Sequence, residues 1–328
     1  MSLLSIVITH YNEEWEVCEP LFNSIAMQLG VDFNDIEVVV AQDGEATTEY
    51  LEKLAHNDYP FKIALYTQKK KGVSSARNLG MLNAQGDYVM FCDCDDQFIS
   101  VYGLYLMLKH TEAGFDCIKS PFVEDQIVDG ELKLIRHEHD ISFIHGKMWR
   151  KQFLIENNLK FNEKLTIHED GYFNVIANML ATKQHELQPA VYLWRYNEKS
   201  VVRRDRDLFI YKTYSNLMDC RIAICSELWD RGLITEFYQA VSKTVIDSYY
   251  DFQKPEALDP KNKELIDKAE KEFARFYEKY REFYNEININ DIAQMMYLCR
   301  TTAFVNHLRV EQETLSQFLT RIVTSYIV

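Results

Sequence analysis

Glycine and proline are scarce in this 328-residue chain, at 11 and 6 residues, about half or less of their usual shares of roughly 7% and 5%. Collagen-like and low-complexity architectures are thereby excluded, and 47% hydrophobic residues supply a sizeable core. Positive charge is also short: 36 basic residues stand against 50 acidic ones, for a net charge of −14. A surface of that sign repels phosphate backbones, which argues against general nucleic-acid binding. The seven cysteines, at 18, 92, 94, 117, 220, 225 and 299, are odd in number and never spaced as CxxC. That usage fits reduced thiols better than disulfides or a zinc site. No apolar run approaches the roughly 18 residues that span a bilayer, and Met1–Asn12 lacks the basic region of a signal peptide. The expected location is the cytoplasm, free or peripheral at the inner membrane surface.

What is present is unevenly placed. Ten of the eleven glycines lie at or before Gly171, and only Gly232 follows. Charge divides too: −11 over residues 1–205 and −3 over 206–328. These shifts predict an α/β domain over 1–205 and a helical domain over 206–328. Apolar β-branched runs at Leu3–Thr9, Ile36–Ala41, Phe61–Tyr66 and Tyr88–Cys92 read as buried strands. Helical patterns alternate with them at Glu13–Leu29, Thr47–His56, Val73–Ala84 and Tyr102–Thr111. Such alternation predicts a mostly parallel sheet with helices on both faces. Thr9–Glu13, Gln42–Glu45 and Asp93–Gln97 then follow strand carboxyl ends, the ligand-binding edge of open α/β sheets.

Farther on, Asp129-Gly130 joins Phe122–Val128 and Glu131–His137 as a hairpin. Met148–Asn157 and Gly171–Thr182 read as helices and Gln188–Tyr196 as a strand. Helices are expected at Leu208–Arg231, Glu236–Phe252, Lys263–Tyr284, Asn290–Leu308 and Glu311–Ile327. The aromatics Phe273, Phe276, Tyr277, Tyr280, Phe283 and Tyr284 form packing or interface stripes there.

The densest chemical feature is Phe91-Cys92-Asp93-Cys94-Asp95-Asp96, a buried strand running into three carboxylates. Crowded like charges need compensation, and a divalent cation with oxygen ligands supplies it, especially beside substrate phosphates. The plainer alternative is a solvated cap on the next helix. Gly72–Gly80 (GVSSARNLG) adds a flexible loop, a helix start and Arg77, after Lys69, Lys70 and Lys71. Helix N-termini and arginine suit phosphate oxygens, although a solvated loop accounts for most of the lysines.

In order and approximate spacing, Ser5–Glu13 (SIVITHYNE), Val40–Glu45 (VAQDGE), Gly72–Gly80 and Phe91–Asp96 (FCDCDD) resemble the family 2 glycosyltransferases. His145–Arg150 (HGKMWR) and His168-Glu169-Asp170 with Phe173 resemble two later segments of that family. The resemblance covers about residues 3–204 and implies the inverting, GT-A-fold class. It places Thr9, Tyr11 and Glu13 at the base pocket, with Tyr11 against the nucleobase. Asp43 is implied to bond the base, although Gln42 and Glu45 depart from the family's usual DDGS. Arg77 would support base or diphosphate, Asp93 the ribose, and Asp95, with Asp93, the metal; Asp96 stays either acceptor-side or structural. Arg203 and Arg204, in a segment similar to the family's S-x-x-R, would clamp the diphosphate or lie in a solvated turn.

Chemistry supplies the same roles independently. Moving a sugar from a nucleotide diphosphate calls for a Lewis acid on the departing diphosphate and a carboxylate to take the acceptor's proton. Asp170 is the candidate base; its alternative role is an acid favourably placed in a helix's first turn. The expectation is therefore a Mn²⁺- or Mg²⁺-dependent glycosyltransferase taking a nucleotide-sugar donor, UDP-linked by resemblance, to a glycan, wall-polymer or protein acceptor. The helical domain would recognise the acceptor or form homo-oligomers. A nucleotide-sugar-binding scaffold without activity and a sugar-phosphate nucleotidyltransferase remain the alternatives.

Overall fold

The computed structural model describes residues 2–56, 58–198, 200, 212–285, 297 and 313–327. The chain divides into two compact units, Met1–Glu198 and Lys199–Val328. In the first, strands β1 (Leu4–His10), β2 (Ile36–Asp43), β3 (Lys62–Gln68) and β4 (Tyr88–Asp93) alternate with helices α1 (Trp15–Ala26), α2 (Thr48–His56) and α3 (Val73–Asn83). The two-residue strand β5 (Gln97–Phe98) and helix α4 (Gly103–Leu108) follow, then β6 (Cys117–Lys119), β7 (Phe122–Val128), β8 (Glu131–His137) and β9 (Lys147–Arg150). Helices α5 (Lys151–Glu156) and α6 (Glu169–Leu180) and strands β10 (Gln184–Glu186) and β11 (Tyr192–Trp194) complete it.

The seven-stranded sheet has the order β10-β6-β9-β4-β1-β2-β3. β1 lies between β2 and β4, parallel to both, and β3 runs parallel on β2. Leu4, Ile6, Val7 and Ile8 are fully buried, as are Val38, Val39 and Val40 beside them. Burial on both faces is why these strands are continuous apolar runs instead of alternating ones. Register brings their carboxyl ends level: Thr9 sits beside Ala41 on one side and Asp93 on the other. Three polar loops thus leave the sheet together.

Beyond β4 the sheet departs from the parallel pattern. β9 pairs antiparallel with both β4 and β6. The helix expected at Met148–Asn157 therefore begins only at Lys151, because Met148 and Trp149, both buried, are drawn into the sheet. A short apolar run carries too little periodicity to separate these outcomes. The hairpin β7–β8 forms as predicted, in a second sheet ordered β5-β11-β7-β8. The strand expected over Gln188–Tyr196 contracts to β11, which pairs antiparallel with β5 and places Tyr192 opposite Phe98.

The second unit contains helices α7 (Leu217–Asp230), α8 (Ile234–Asp251), α9 (Pro255–Leu258), α10 (Lys263–Asn285) and α11 (Leu315–Tyr326). A single π-helical turn over Lys212–Asn216 leads into α7. Phe237, Phe252, Phe273, Phe276 and Phe318 are buried, so much of the aromatic stripe on α10 is core. Asn290–Leu308, expected to be helical, lies outside the described residues apart from Tyr297. Among the described residues, no helix is long and apolar enough to cross a membrane.

Candidate active site

Two loops set the rim where β1 and β2 end. Asp43, nearly buried at the end of β2, accepts the Lys71 and Gly72 amides at 2.7 and 2.8 Å and the Gln68 amide at 2.9 Å. Gly72 reaches that contact with φ of 105°, a conformation that favours glycine. Asp43 thus shapes the turn that opens α3. Tyr11, 38% exposed, carries Lys70 on its ring at 4.0 Å and on its hydroxyl at 2.5 Å. Glu13 folds back onto the Tyr11 amide at 2.9 Å. The third anchor is Gln42: it donates to the Tyr11 carbonyl at 2.7 Å and meets His10 Nδ1 at 2.5 Å. Its amide serves as both donor and acceptor, which a carboxylate there could not do.

Arg77 occupies the centre. One terminal nitrogen donates to Asp93 Oδ1 at 2.8 Å and the other to Glu169 Oε1 at 2.6 Å. Thr9 adds a long 3.4 Å bond to the same Asp93 oxygen. The guanidinium is buried and lies 5.3 Å from the Phe161 ring, while its Nε has no hydrogen-bond partner. Burial opposes its charge, but Asp93, Glu169 and Asp170 overcome that and raise its pKa. A fork of this kind suits arginine, since one ammonium cannot present two planar donors to separate carboxylates. Burial likewise works to lift the Asp93 carboxyl, yet Arg77 holds it below the ordinary carboxylate range.

The remaining carboxylates of the loop have different fates. Asp96 is completely buried; its Oδ2 accepts the Tyr192 hydroxyl at 2.7 Å and its Oδ1 the Arg195 amide at 3.0 Å. The Tyr192 hydroxyl also accepts the Asp93 amide at 3.2 Å. Burial, then Asp95 and Asp93, push the Asp96 carboxyl well up. These contacts make Asp96 a brace between β11 and the loop. Asp95 Oδ2 instead accepts Asn197 Nδ2 at 2.8 Å, with burial and Asp93 raising its carboxyl. His145 has its ring centroid 5.0 Å from those of Tyr192 and Phe122, and its Nδ1, without a hydrogen-bond partner, lies 3.8 Å from Asp96 Oδ2. Burial takes its imidazole down to about 3, so it is neutral at physiological pH.

Asp170 enters from the first turn of α6, after His168 in the left-handed region at φ of 63°. Its Oδ1 accepts the Gly171 amide at 2.8 Å. Burial and the adjoining Glu169 raise its carboxyl to about 7, against the lowering influence of Arg77. Thr9, Arg77, Asp93, Glu169 and Asp170 therefore belong to one electrostatic cluster. Asp95 and Asp96 adjoin it, and Tyr11, Glu13 and Asp43 form the rim. Arg203 and Arg204 lie outside the described residues. In the sequence Asn197 does not stand out, His145 stands out only within His145–Arg150, and Tyr192 only within Tyr192–Tyr196, a basic-aromatic segment similar to the family's Y-x-Y-R or else a plain strand end.

A divalent cation fits the donor chemistry of this loop. Asp93, Asp96 and His145 bring candidate ligand atoms within 4.8 Å of one another. Asp95 is not one of these three; its Oδ2 is held by Asn197, while Asp96 accepts Tyr192 and the Arg195 amide and Asp93 accepts Arg77 and Thr9. Burial first and the Asp93 charge second raise the Asp95 carboxyl, and a cation beside it would offset both.

A sheet whose parallel half ends in carboxylate loops and whose other half is completed by an antiparallel strand defines a GT-A architecture. Solved structures share it. Staphylococcus aureus TarS 1–349 in complex with UDP-GlcNAc aligns over 95% of this chain and 93% of its own, with TM-score 0.61 and 15% identity. Mannosyltransferase PcManGT from Pyrobaculum calidifontis, in complex with GDP-Man and Mn²⁺, aligns over 99% and 87%, with TM-score 0.52 and 13% identity. The family model for glycosyl transferase family 2 matches residues 5–175, and the chain belongs to that family. A Bacillus subtilis relative, the uncharacterized glycosyltransferase EpsJ, is 27% identical over 221 residues. That match covers 61% of this chain and 62% of the relative's length.

Proposed function

We propose that this chain is a metal-dependent, inverting glycosyltransferase that moves a sugar from a nucleotide diphosphate, UDP-linked, to an acceptor hydroxyl. The observation that carries this reading is the Arg77 fork, which holds Asp93 at the end of β4 and Glu169 beside Asp170 at the start of α6 and so gathers these carboxylates at one edge of the sheet. Burial and Glu169 raise the Asp170 carboxyl, which strengthens it as a proton acceptor. Asp170 takes the proton of the acceptor hydroxyl as the acceptor oxygen bonds to the anomeric carbon and the bond from that carbon to the diphosphate breaks on the opposite face, which inverts the configuration. Thr9, Tyr11, Glu13 and Asp43 receive the base, Asp93 the ribose, and Arg77 keeps Asp93 oriented. Asp95, with Asp93, would hold Mn²⁺ or Mg²⁺, and that ion would supply Lewis acidity toward the leaving diphosphate. Arg203 and Arg204 would close on the diphosphate.

UDP is favoured by the TarS complex with UDP-GlcNAc, and a metal by the PcManGT complex with Mn²⁺. TarS is named a poly(ribitol-phosphate) β-N-acetylglucosaminyltransferase, which favours a wall-polymer or glycan acceptor here. We assign residues 1–205 to catalysis and 206–328 to acceptor recognition or self-association, in the cytoplasm or at the inner membrane surface. Titration of UDP-sugars with and without Mn²⁺, followed by measurement of UDP release, tests the reading. Metal-dependent binding with release is expected. Binding that never yields UDP with any acceptor would mark a scaffold.

A further inference from the structure

The loop that carries Asp93 and Asp95 has Cys94 between them, and the first turn of α1 carries Cys18. Seventy-six positions separate the two cysteines in sequence, yet the fold makes their thiols hydrogen-bond partners. Independent geometry places the two backbones together. A single nitrogen of Arg195 reaches the Val17 carbonyl at 3.4 Å and the Asp95 carbonyl at 3.3 Å, one residue from each cysteine. Both cysteines belong to the same buried cluster, at 0% and 4% exposure, and both are reduced. His10 completes the group: its ring bonds to Cys18 and to the Glu13 carbonyl.

We propose that Cys18 and Cys94 are a peroxide-sensitive pair whose disulfide ties the Asp93–Asp95 loop to α1 and withdraws it from nucleotide binding. The cysteine chemistry stands alone, whereas its consequence rests on the nucleotide-sugar reading of the same loop. In the first step one of the two sulfurs attacks hydrogen peroxide, becomes a sulfenic acid and releases one water. The other sulfur then attacks the sulfenic sulfur, the S–S bond forms, and a second water leaves. Two thiols lose two electrons and peroxide gains them. Bridging shortens the sulfur separation to about 2.05 Å. Cys94 must move toward α1, and its neighbours Asp93 and Asp95 must turn with it. Disturbing the supports of metal-binding carboxylates costs about 10- to 100-fold in affinity.

The test uses the full reduced protein, treated with hydrogen peroxide, alkylated, digested without reductant and read by mass spectrometry. The expected product is a Cys18 peptide joined to the Cys94 peptide and separated again by dithiothreitol. UDP binding in Mn²⁺ should fall by about tenfold or more after oxidation and recover on reduction. Cys18→Ser should bind UDP as the reduced wild type does and lose none of that affinity on oxidation. Peroxide that leaves Cys18 and Cys94 unlinked, or linked protein that binds UDP undiminished, would overturn the proposal. Reduced protein that fails to bind UDP counts against the proposed donor, while the crosslink still decides the cysteine pair.

Discussion

Replacing Asp170 with asparagine should make the protein more stable, and increasingly so as pH rises. The carboxyl stands at about 7 in the folded chain against an ordinary 3.8. Because the folded value is raised, the native state favours the protonated form. Its stabilising contribution is complete below 3.8 and is lost as pH climbs through 7. Asparagine cannot ionise, and its side-chain oxygen can still accept the Gly171 amide that Asp170 Oδ1 now accepts. Linkage between these two values gives the wild type a penalty of about 2 kcal/mol at pH 5 and about 4 kcal/mol at pH 8. The variant's advantage should therefore widen by about 2–3 kcal/mol across that range, or roughly 5–10 °C in melting temperature. Thermal unfolding of both proteins at half-unit pH steps measures it without acceptor or metal. A difference in melting temperature that stays flat from pH 5 to 8, or a variant less stable at pH 8, would refute the burial-and-repulsion account. The same substitution should leave UDP affinity within about twofold while turnover falls by about 10²–10⁴. Near-normal turnover would remove Asp170 from the role of base.

Three other outcomes follow from the same cluster. Arg77→Met leaves Glu169 and Asp93 without their shared cation and should cost about 3–5 kcal/mol in urea unfolding; Arg77→Lys should recover only part, and a loss below about 1 kcal/mol would show the bridge to be unimportant. Tyr192→Phe deletes the hydroxyl between Asp96 and the Asp93 amide, with an expected cost of about 1–3 kcal/mol and weaker UDP binding in calorimetry. Asp95→Ala should abolish the Mn²⁺-dependent part of UDP binding, as should EDTA treatment of the wild type; an Asp95→Ala variant whose UDP affinity still rises with Mn²⁺ as in the wild type would remove Asp95 from the metal site.

Much of the scaffold was legible because buried parallel strands and their helices leave strong, separate patterns. Leu3–Thr9 and Ile36–Ala41 could be recognised without knowing their partners, and so could the carboxylates that follow them. Met148–Trp149 was misread as helix because strand or helix there depends on β4 and β6, which lie far away in sequence. The aromatic stripe on α10 was readable as packing, yet its burial required α8 and α11 to be in place.

The site divides along the same line. Residue order alone supplied the groups we assign to nucleotide, cation and acceptor, since Asp93, Asp95, Arg77 and Asp170 carry their charge and hydrogen-bonding capacity before any fold exists. Only the tertiary structure decided their protonation and division of labour. Burial and Glu169 lift Asp170, Arg77 holds Asp93 down, and Tyr192 and the Arg195 amide turn Asp96 into a brace. The same closure sets Cys18 against Cys94. Spacing along a chain cannot encode these effects, because desolvation and Coulomb energy depend on distances that exist only after β1, β4, α3, α6 and β11 have packed together.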